Sequence, residues 1–211
     1  MKLIIITGPS GSGKTTLSKK LCKSFEDIIV IKTDSYYRDD LFIKILSIFS
    51  NDIYDRFISI KNKEVLKTIA SIYNKEESIV FYNYDFNKKS STVSRTQMKS
   101  KTNSLKFIIL EGIFAHRLDL NYKQTVNIIC KEDKEICYER RLKRDQIERK
   151  RNRNEVNKRF NNSWDLFFKN LSKYTNNNHV ISINTSDDAL YKNLITTINE
   201  LSINKKTKGN I

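Results

Sequence analysis

The chain has 211 residues, of which 38% are hydrophobic and 30% are charged, and its formal net charge is +15. The length suits one domain with a sizeable core, and the apolar content excludes a wholly disordered chain. The positive charge predicts attraction to an anion such as nucleic acid, a membrane surface or the phosphates of a nucleotide, although a general drift towards lysine explains it equally well.

The cysteines and the first residues of the chain indicate in which cellular compartment the protein is expected. Cys22, Cys130 and Cys137 form no CxxC pair and have no nearby histidine at ligand spacing. They therefore indicate neither a disulfide framework nor a zinc site, and they fit the reducing cytoplasm. The apolar run KLIIIT at residues 2–7 is far shorter than the roughly 18 residues of a membrane-spanning helix. We predict a β-strand there and no membrane association.

A glycine-rich loop follows this run. Three of the five glycines and the one proline lie within residues 8–13, and Leu17, Leu21 and Phe25 then recur at the helical spacing of four. Residues 8–15 read as GxxxxGKT between a strand and a helix, which is the pattern of a phosphate-binding P-loop. The alternative is an ordinary glycine-rich turn with an exposed lysine.

The P-loop pattern gives its side chains chemical roles. Successive backbone amides and the helix N-terminus direct positive partial charge at a polyphosphate. Lys14 is predicted to reach the outer phosphates and to act in catalysis, and the Thr15 hydroxyl is predicted to ligate Mg²⁺. The nucleotide-binding residues predicted from the loop are Gly8, Ser10, Gly11, Ser12, Gly13, Lys14, Thr15 and Thr16.

The remaining chain alternates between apolar runs typical of buried strands and stretches with helical spacing. Strands are predicted at residues 27–32, 106–114, 125–130 and 179–183, and helices around residues 42–49, 66–73 and 190–201. The alternation indicates an α/β fold of the P-loop NTPase type, a doubly wound parallel sheet with helices on both faces and ligands at the carboxyl ends of its strands. We expect one domain over residues 1–203 and a frayed tail over residues 204–211.

Two acids follow predicted strands at the edge where the P-loop lies. Asp34 comes shortly after the second strand, where it can ligate Mg²⁺ or accept a hydroxyl proton; the alternative is a cap on the helix near Phe42. Glu111 directly follows an apolar run, and a lone acid at a buried strand end favours a metal role. The alternative for Glu111 is pairing with a surface lysine.

The positive charge is concentrated in residues 138–159, which contain ten lysines and arginines and four acids. We predict an arginine-rich lid here, whose guanidinium groups stabilise the charge on a transferred phosphoryl group and whose closure excludes water. The alternatives are a solvated basic helix and a nucleic-acid-binding stripe.

Together, five segments resemble the uridine kinase and phosphoribulokinase-like branch of P-loop kinases over roughly residues 1–170; they are GPSGSGKTT, DSYYR, YDF, LEGIF and RRLKRDQIERKR. The resemblance implies a kinase that transfers the γ-phosphate of ATP, most simply to the 5′-hydroxyl of uridine or cytidine. It implies Asp34 as base and Mg²⁺ partner and Glu111 as a second acid for the metal. The arginines it implies are Arg140, Arg144 and Arg149 in catalysis and Arg151 at the nucleotide.

For the acceptor, the resemblance implies an acid that holds the ribose hydroxyls, best matched by Asp52, and a tyrosine beside the base, Tyr84 of YDF. Asp34, Tyr37 and Lys89 complete the predicted acceptor-binding residues.

The chain departs from the family pattern in three places. The His and Pro expected near Asp52 are absent, Lys89 stands near the place of a base-reading histidine, and Lys150 replaces a glycine that follows the lid arginines. Because these departures concern the acceptor and not the phosphate machinery, a small-metabolite kinase acting on a sugar phosphate or a pantothenate-like alcohol remains an alternative. A nucleic-acid-binding NTPase is a further one, and the oligomeric state stays open, a homo-oligomer included.

Overall fold

The computed structural model describes residues 1–50, 53–98, 104–118, 120, 125–177 and 180–203. Its strands are β1 (Lys2–Thr7), β2 (Ile28–Lys32), β3 (Ser78–Asp85), β4 (Ser90–Gln97), β5 (Phe107–Glu111), β6 (Val126–Cys130) and β7 (Val180–Ile183). Its helices are α1 (Lys14–Ser24), α2 (Leu41–Phe49), α3 (Asn62–Tyr73), α4 (Lys134–Arg149), α5 (Arg153–Asn177) and α6 (Asp188–Ile203). The predicted tail at residues 204–211 lies outside the described residues.

A parallel sheet forms the centre of the described chain, with strand order β2-β5-β1-β6-β7. Side chains of β1 alternate between its faces: Leu3 packs in one apolar cluster with Ile69 of α3, and Ile4 packs in another with Leu17 of α1. Helices therefore cover both faces, and the predicted α/β fold with a mostly parallel sheet is confirmed.

Burial differs from the sequence prediction at the sheet edge. The apolar run of β2 predicts a strand covered on both faces, yet only Ile31 in it is fully buried. The reason is position, since β2 lies at the end of the strand order and pairs with β5 alone.

The capping alternative for Asp34 is wrong. Asp40 caps α2, because its Oδ1 accepts a hydrogen bond from the backbone N–H of Ile43 at 3.1 Å. Asp34 lies in the short 3₁₀ turn Thr33–Tyr36 that follows β2, which leaves its carboxylate available at the carboxyl edge of the sheet.

An antiparallel hairpin of β3 and β4 stands apart from the central sheet, and the sequence analysis missed it. The hydroxyl of Thr68 in α3 donates a hydrogen bond to the carbonyl of Val80 at 2.9 Å and so ties the hairpin to the domain. The hairpin carries Tyr84 near the end of β3, where its side chain is buried. Within the described residues, no helix has both the length and the apolar character needed to cross a membrane.

Helix α4 is followed by its C-cap residue Lys150, which has φ 53° and ψ 32° in the left-handed region. A Cβ is unfavourable there, so Lys150→Gly is expected to stabilise the chain by about 0.5–1 kcal/mol. We expect a melting temperature higher by about 1–4 °C, measured by circular dichroism. Lys150→Ala keeps the Cβ and serves as the control; an equal gain in that variant would trace the effect to the lysine side chain instead of the backbone.

Candidate active site

A cavity of about 710 Å³ opens at the carboxyl edge of the parallel strands. Its lining residues belong to the P-loop, the hairpin and α4, and they include both predicted acids. The predicted residues that line it are Ser10, Gly11, Gly13, Lys14, Thr15, Thr16, Asp34, Tyr37, Tyr84, Lys89, Glu111, Arg140, Arg144, Arg149 and Arg151. Gly8 and Ser12 of the same loop do not line the cavity, and Asp52 lies outside the described residues.

Two glycines allow the loop to adopt its shape. Gly11 and Gly13 both have φ +90°, and a Cβ on Gly11 would collide with the carbonyl oxygen of Cys137. A Cβ on Gly13 would collide with the side chain of Thr185. Helix α1 then begins at Lys14 without a side-chain cap, so its first backbone amides are available to an anion.

Lys14 lies at the base of the cavity, and its Nζ donates a hydrogen bond to the carbonyl of Pro9 at 2.9 Å. Burial lowers the pKa of Lys14, while the negative charges of Asp34 and Glu111 oppose that shift. An anion bound in the loop would raise the pKa of Lys14, because its negative charge in the same cavity favours the charged ammonium.

Oxygen atoms of the two predicted acids lie near the start of α1. The Thr15 hydroxyl donates to Oε1 of Glu111 at 3.2 Å, and the Ser18 hydroxyl donates to Oε2. A Cβ on Gly112 would lie 3.4 Å from Oδ1 of Asp34, which places that carboxylate against the end of β5. The alternative of Glu111 pairing with a surface lysine is wrong, since Glu111 is 4% exposed and bonds to these hydroxyls.

This set of oxygen atoms fits a hard cation such as Mg²⁺. Within the described residues, no group of three or more His, Cys, Asp or Glu side chains is arranged to hold a metal by itself. Mg²⁺ in phosphoryl-transfer sites is held by one or two carboxylates together with substrate phosphates, and the predicted ligands Thr15, Asp34 and Glu111 are oxygen donors of that kind.

Arginines of α4 contact the P-loop directly. Arg140 donates to the carbonyl of Gly11 at 3.2 Å and pairs with Glu132 at 3.1 Å. Arg144 donates to the hydroxyl of Ser10 at 3.4 Å. The first half of the basic segment thus faces the loop that the sequence assigns to phosphates.

A buried carboxylate contacts four arginines in and just after α4. Asp145 is fully buried and contacts four guanidinium groups at 2.8 to 3.6 Å, those of Arg141, Arg144, Arg149 and Arg151. Burial alone would raise the pKa of Asp145, but the charges of Arg144 and Arg149 outweigh it and hold the pKa below its ordinary value. One anion among four cations leaves a strong positive field beside the cavity.

Part of the cavity wall is aromatic. Tyr37 contacts Tyr84 and Phe86 with ring centroids 5.4 and 5.5 Å apart, and Tyr54 lies 5.9 Å from Tyr37. The guanidinium carbon of Arg149 lies 4.1 Å from the centroid of Phe86. A flat apolar ring would find complementary surfaces at this end of the cavity.

The model of the phosphoribulokinase/uridine kinase family matches residues 3–190. The chain belongs to this family. It is therefore a P-loop kinase that uses ATP, as the resemblance of its motifs implies.

Similar proteins agree with this placement. A curated uridine kinase from Clostridium tetani (strain Massachusetts / E88) is 54% identical over 39 residues, which make up 18% of this chain and 19% of that protein. The matched segment thus spans about a fifth of the relative.

Two solved structures share the fold of the kinase. The structure of the YGR205w protein has a TM-score of 0.58 and 14% identity, with 86% of this chain and 85% of that chain covered. The structure of a possible uridine kinase from Bacillus stearothermophilus has a TM-score of 0.53 and 14% identity, with 85% and 87% covered.

The sequence analysis missed several residues that line the cavity of this kinase. Arg141 is 4% exposed, lies 3.5 Å from Asp55 and donates to the hydroxyl of Ser163 at 2.6 Å. Burial raises the pKa of Asp55, against the opposing charge of Arg141. The sequence does contain one indication that Arg141 belongs to a charged cluster. Asp145 lies four residues after Arg141 and four before Arg149, a spacing at which side chains of a helix contact each other.

Asp145→Asn is expected to lower the free energy of unfolding of the kinase by about 3–5 kcal/mol, because four guanidinium groups lose their shared anion. Sulfate should then raise the melting temperature more in the variant than in the wild type, since it supplies the missing negative charge. Urea denaturation and thermal shift measure the two effects.

Glu155→Gln is the matched control, because Glu155 also joins two arginines but is more exposed. We expect a loss below about 1 kcal/mol there. An equal loss in both variants would show that Asp145 has no special part in ordering the arginines.

Proposed function

We propose that this kinase transfers the γ-phosphate of ATP, with Mg²⁺, to the 5′-hydroxyl of uridine or cytidine. The observation that supports the proposal is that three kinds of group line one cavity. The P-loop, Asp34 and the aromatic side chains of Tyr37, Tyr84 and Phe86 all belong to its wall, and the charge of Asp34 acts on both Lys14 and Tyr37. A phosphate donor and a ring-bearing alcohol can therefore meet at Asp34.

At the donor end, the amides of the loop and Lys14 hold the outer phosphates. Thr15, Asp34 and Glu111 are the residues that would hold Mg²⁺, which when bound neutralises charge on the phosphate oxygens. Arg140 reaches the loop from α4 and holds its backbone in place.

In the transfer step, the carboxylate of Asp34 accepts the proton of the acceptor hydroxyl while that oxygen bonds to the γ-phosphorus. The bond from the γ-phosphorus to the bridging oxygen breaks, and ADP leaves with its electron pair. Arg144, Arg149 and Arg151 stabilise the charge on the phosphoryl oxygens. Closure of the basic segment at residues 138–159 as a lid belongs to this proposal and would exclude water.

Lys89 in the β3–β4 turn and Tyr84 line the same cavity. In this proposal the pyrimidine packs against the ring of Tyr84, and Lys89 contacts an edge of the base. The ribose hydroxyls need a carboxylate. Asp55 lies in the cavity wall beside Arg141, whereas Asp52, which the family resemblance favours, lies outside the described residues. Both acids are therefore candidates, and the experiment separates them.

We expect kcat/KM for uridine and cytidine to be about ten- to two-hundredfold higher than for 2′-deoxyuridine and thymidine. The reason is that a carboxylate that accepts a hydrogen bond from the 2′-hydroxyl is left unpaired when that hydroxyl is absent. Steady-state kinetics on the four nucleosides measure this ratio. The acid that holds the ribose is the one whose Asn variant, Asp52→Asn or Asp55→Asn, removes the preference.

A sugar phosphate is the second candidate acceptor, and one observation favours it: the cationic side chains of Lys89 and Arg159 line the same cavity as the aromatic wall. Ribulose 5-phosphate and pantothenate belong in the same panel. Turnover of either alcohol without turnover of uridine or cytidine would replace the nucleoside proposal.

A further inference from the structure

A second cavity, of about 630 Å³, lies between the 3₁₀ turns at Ile53–Asp55 and Phe57–Ser59, the turn Ala115–Arg117 and helix α5. Its volume falls within the roughly 300–1,000 Å³ of sites for small molecules. Asp55 and Ile113 belong to the walls of both cavities, so the second lies directly behind the acceptor end of the first.

The lining of the second cavity combines aromatic rings with positive charge. Phe57, Phe114 and Phe167 form its apolar surfaces, and the guanidinium carbon of Arg117 lies 4.6 Å from the ring centroid of Phe57. The further cations that line it are Arg56 and Lys169. Among the described lining residues the one carboxylate is Asp55, which pairs with Arg141, so the lining of the cavity favours an anion.

Two lining residues also hold polar atoms with no hydrogen-bond partner in the part of the chain that the structure describes, Nε2 of His116 and Oδ1 of Asn62. The Thr7 hydroxyl lies 3.2 Å from the carbonyl of Gly112 and 2.8 Å from Nδ1 of His116; when its one hydrogen goes to the carbonyl, Nδ1 carries the ring hydrogen. Burial, with a smaller effect of the Arg117 charge, lowers the pKa of His116 to about 4. The ring is thus neutral, and in the tautomer with hydrogen on Nδ1 the Nε2 atom is an acceptor.

We propose that the second cavity binds a small anion that carries a planar ring with N–H or O–H donors at its edge. The anion meets the cations Arg117 and Lys169, and the ring packs against the phenylalanine side chains. Its donors satisfy His116 and Asn62. Both acceptor atoms are buried, so a small rotation of these side chains accompanies binding.

The probe for this proposal is 8-anilinonaphthalene-1-sulfonate, because it combines an anion, a fused ring and an N–H donor. The chain has two histidines, so the imidazole of a His179→Gln chain labelled with ¹⁵N reports on His116 alone. We expect a saturable fluorescence titration and, with the same midpoint, an upfield shift of the Nε2 signal as it accepts a hydrogen bond. Arg117→Glu is expected to weaken binding by about tenfold or more.

Arg95→Glu on β4 is the matched control, since it reverses an exposed arginine that lines neither cavity. Phe49→Ser removes an apolar side chain of α2 that is 83% exposed and could bind the dye by itself. Lys169→Glu replaces Arg117→Glu if that variant does not fold. Any one of four results would overturn the proposal. Two concern the site itself: the His116 signal does not move, or Arg117→Glu and Arg95→Glu bind the dye with equal affinity. The other two are loss of dye binding in Phe49→Ser alone and binding of inorganic phosphate that is as tight as that of the dye.

Discussion

Lys14→Ala is expected to lower kcat at least about a hundredfold, because the variant loses a preorganised positive charge at the phosphates, an effect of about 3–4 kcal/mol. Lys14 is positioned for this role by its place at the base of the cavity and by the hydrogen bond of its Nζ to the Pro9 carbonyl. Rates of ADP formation at saturating MgATP and acceptor measure the effect.

Lys19→Ala on the same helix is the control, since Lys19 is exposed and lines neither described cavity. Its kcat should stay within about twofold of the wild type. Near-native turnover of a folded Lys14→Ala variant would rule out the role of the loop in holding the phosphates.

The parts of the fold that the sequence predicts are those with a local signal. The strand, loop and helix around the P-loop depend on residues that are adjacent in the chain, and the glycines at positions 11 and 13 mark backbone that a side chain would obstruct. The alternation of apolar runs with helical spacing likewise predicts the parallel sheet, because each element carries its own pattern.

The missed features depend on contacts between distant residues. Strand β4 is mostly exposed and polar, so it shows no apolar run, and it is held by pairing with β3. Asp55 becomes a cavity residue through Arg141, which lies 86 positions away in the chain. No local pattern could show that these two side chains meet.

The site differs from the sequence prediction most at the acceptor. The loop and both predicted acids line one cavity, since strand ends fix them, whereas the acceptor wall is built from turns and from the hairpin. Turns and hairpin tips have weak local patterns, which is why Tyr54 and Phe86 were not singled out.

Asp34→Asn is expected to lower kcat by about 10²- to 10⁴-fold, because the amide cannot take the proton of the acceptor hydroxyl. The affinity for MgATP should stay within about tenfold, because Lys14 and the loop amides still hold the phosphates. Single-turnover phosphate transfer together with equilibrium titration of the nucleotide separates the two quantities.

Asp40→Ala provides the contrast that decides the role of Asp34. Asp40 caps α2, so its loss should cost about 1 kcal/mol of stability and leave kcat within a few-fold. Asp34→Asn should show the opposite, with an unchanged melting temperature and failed chemistry, since Asp34 lies in the cavity wall and does not cap the helix. A normal kcat in Asp34→Asn would remove Asp34 as the base and leave the proton to another acid of the cavity, with Asp55 the next to test.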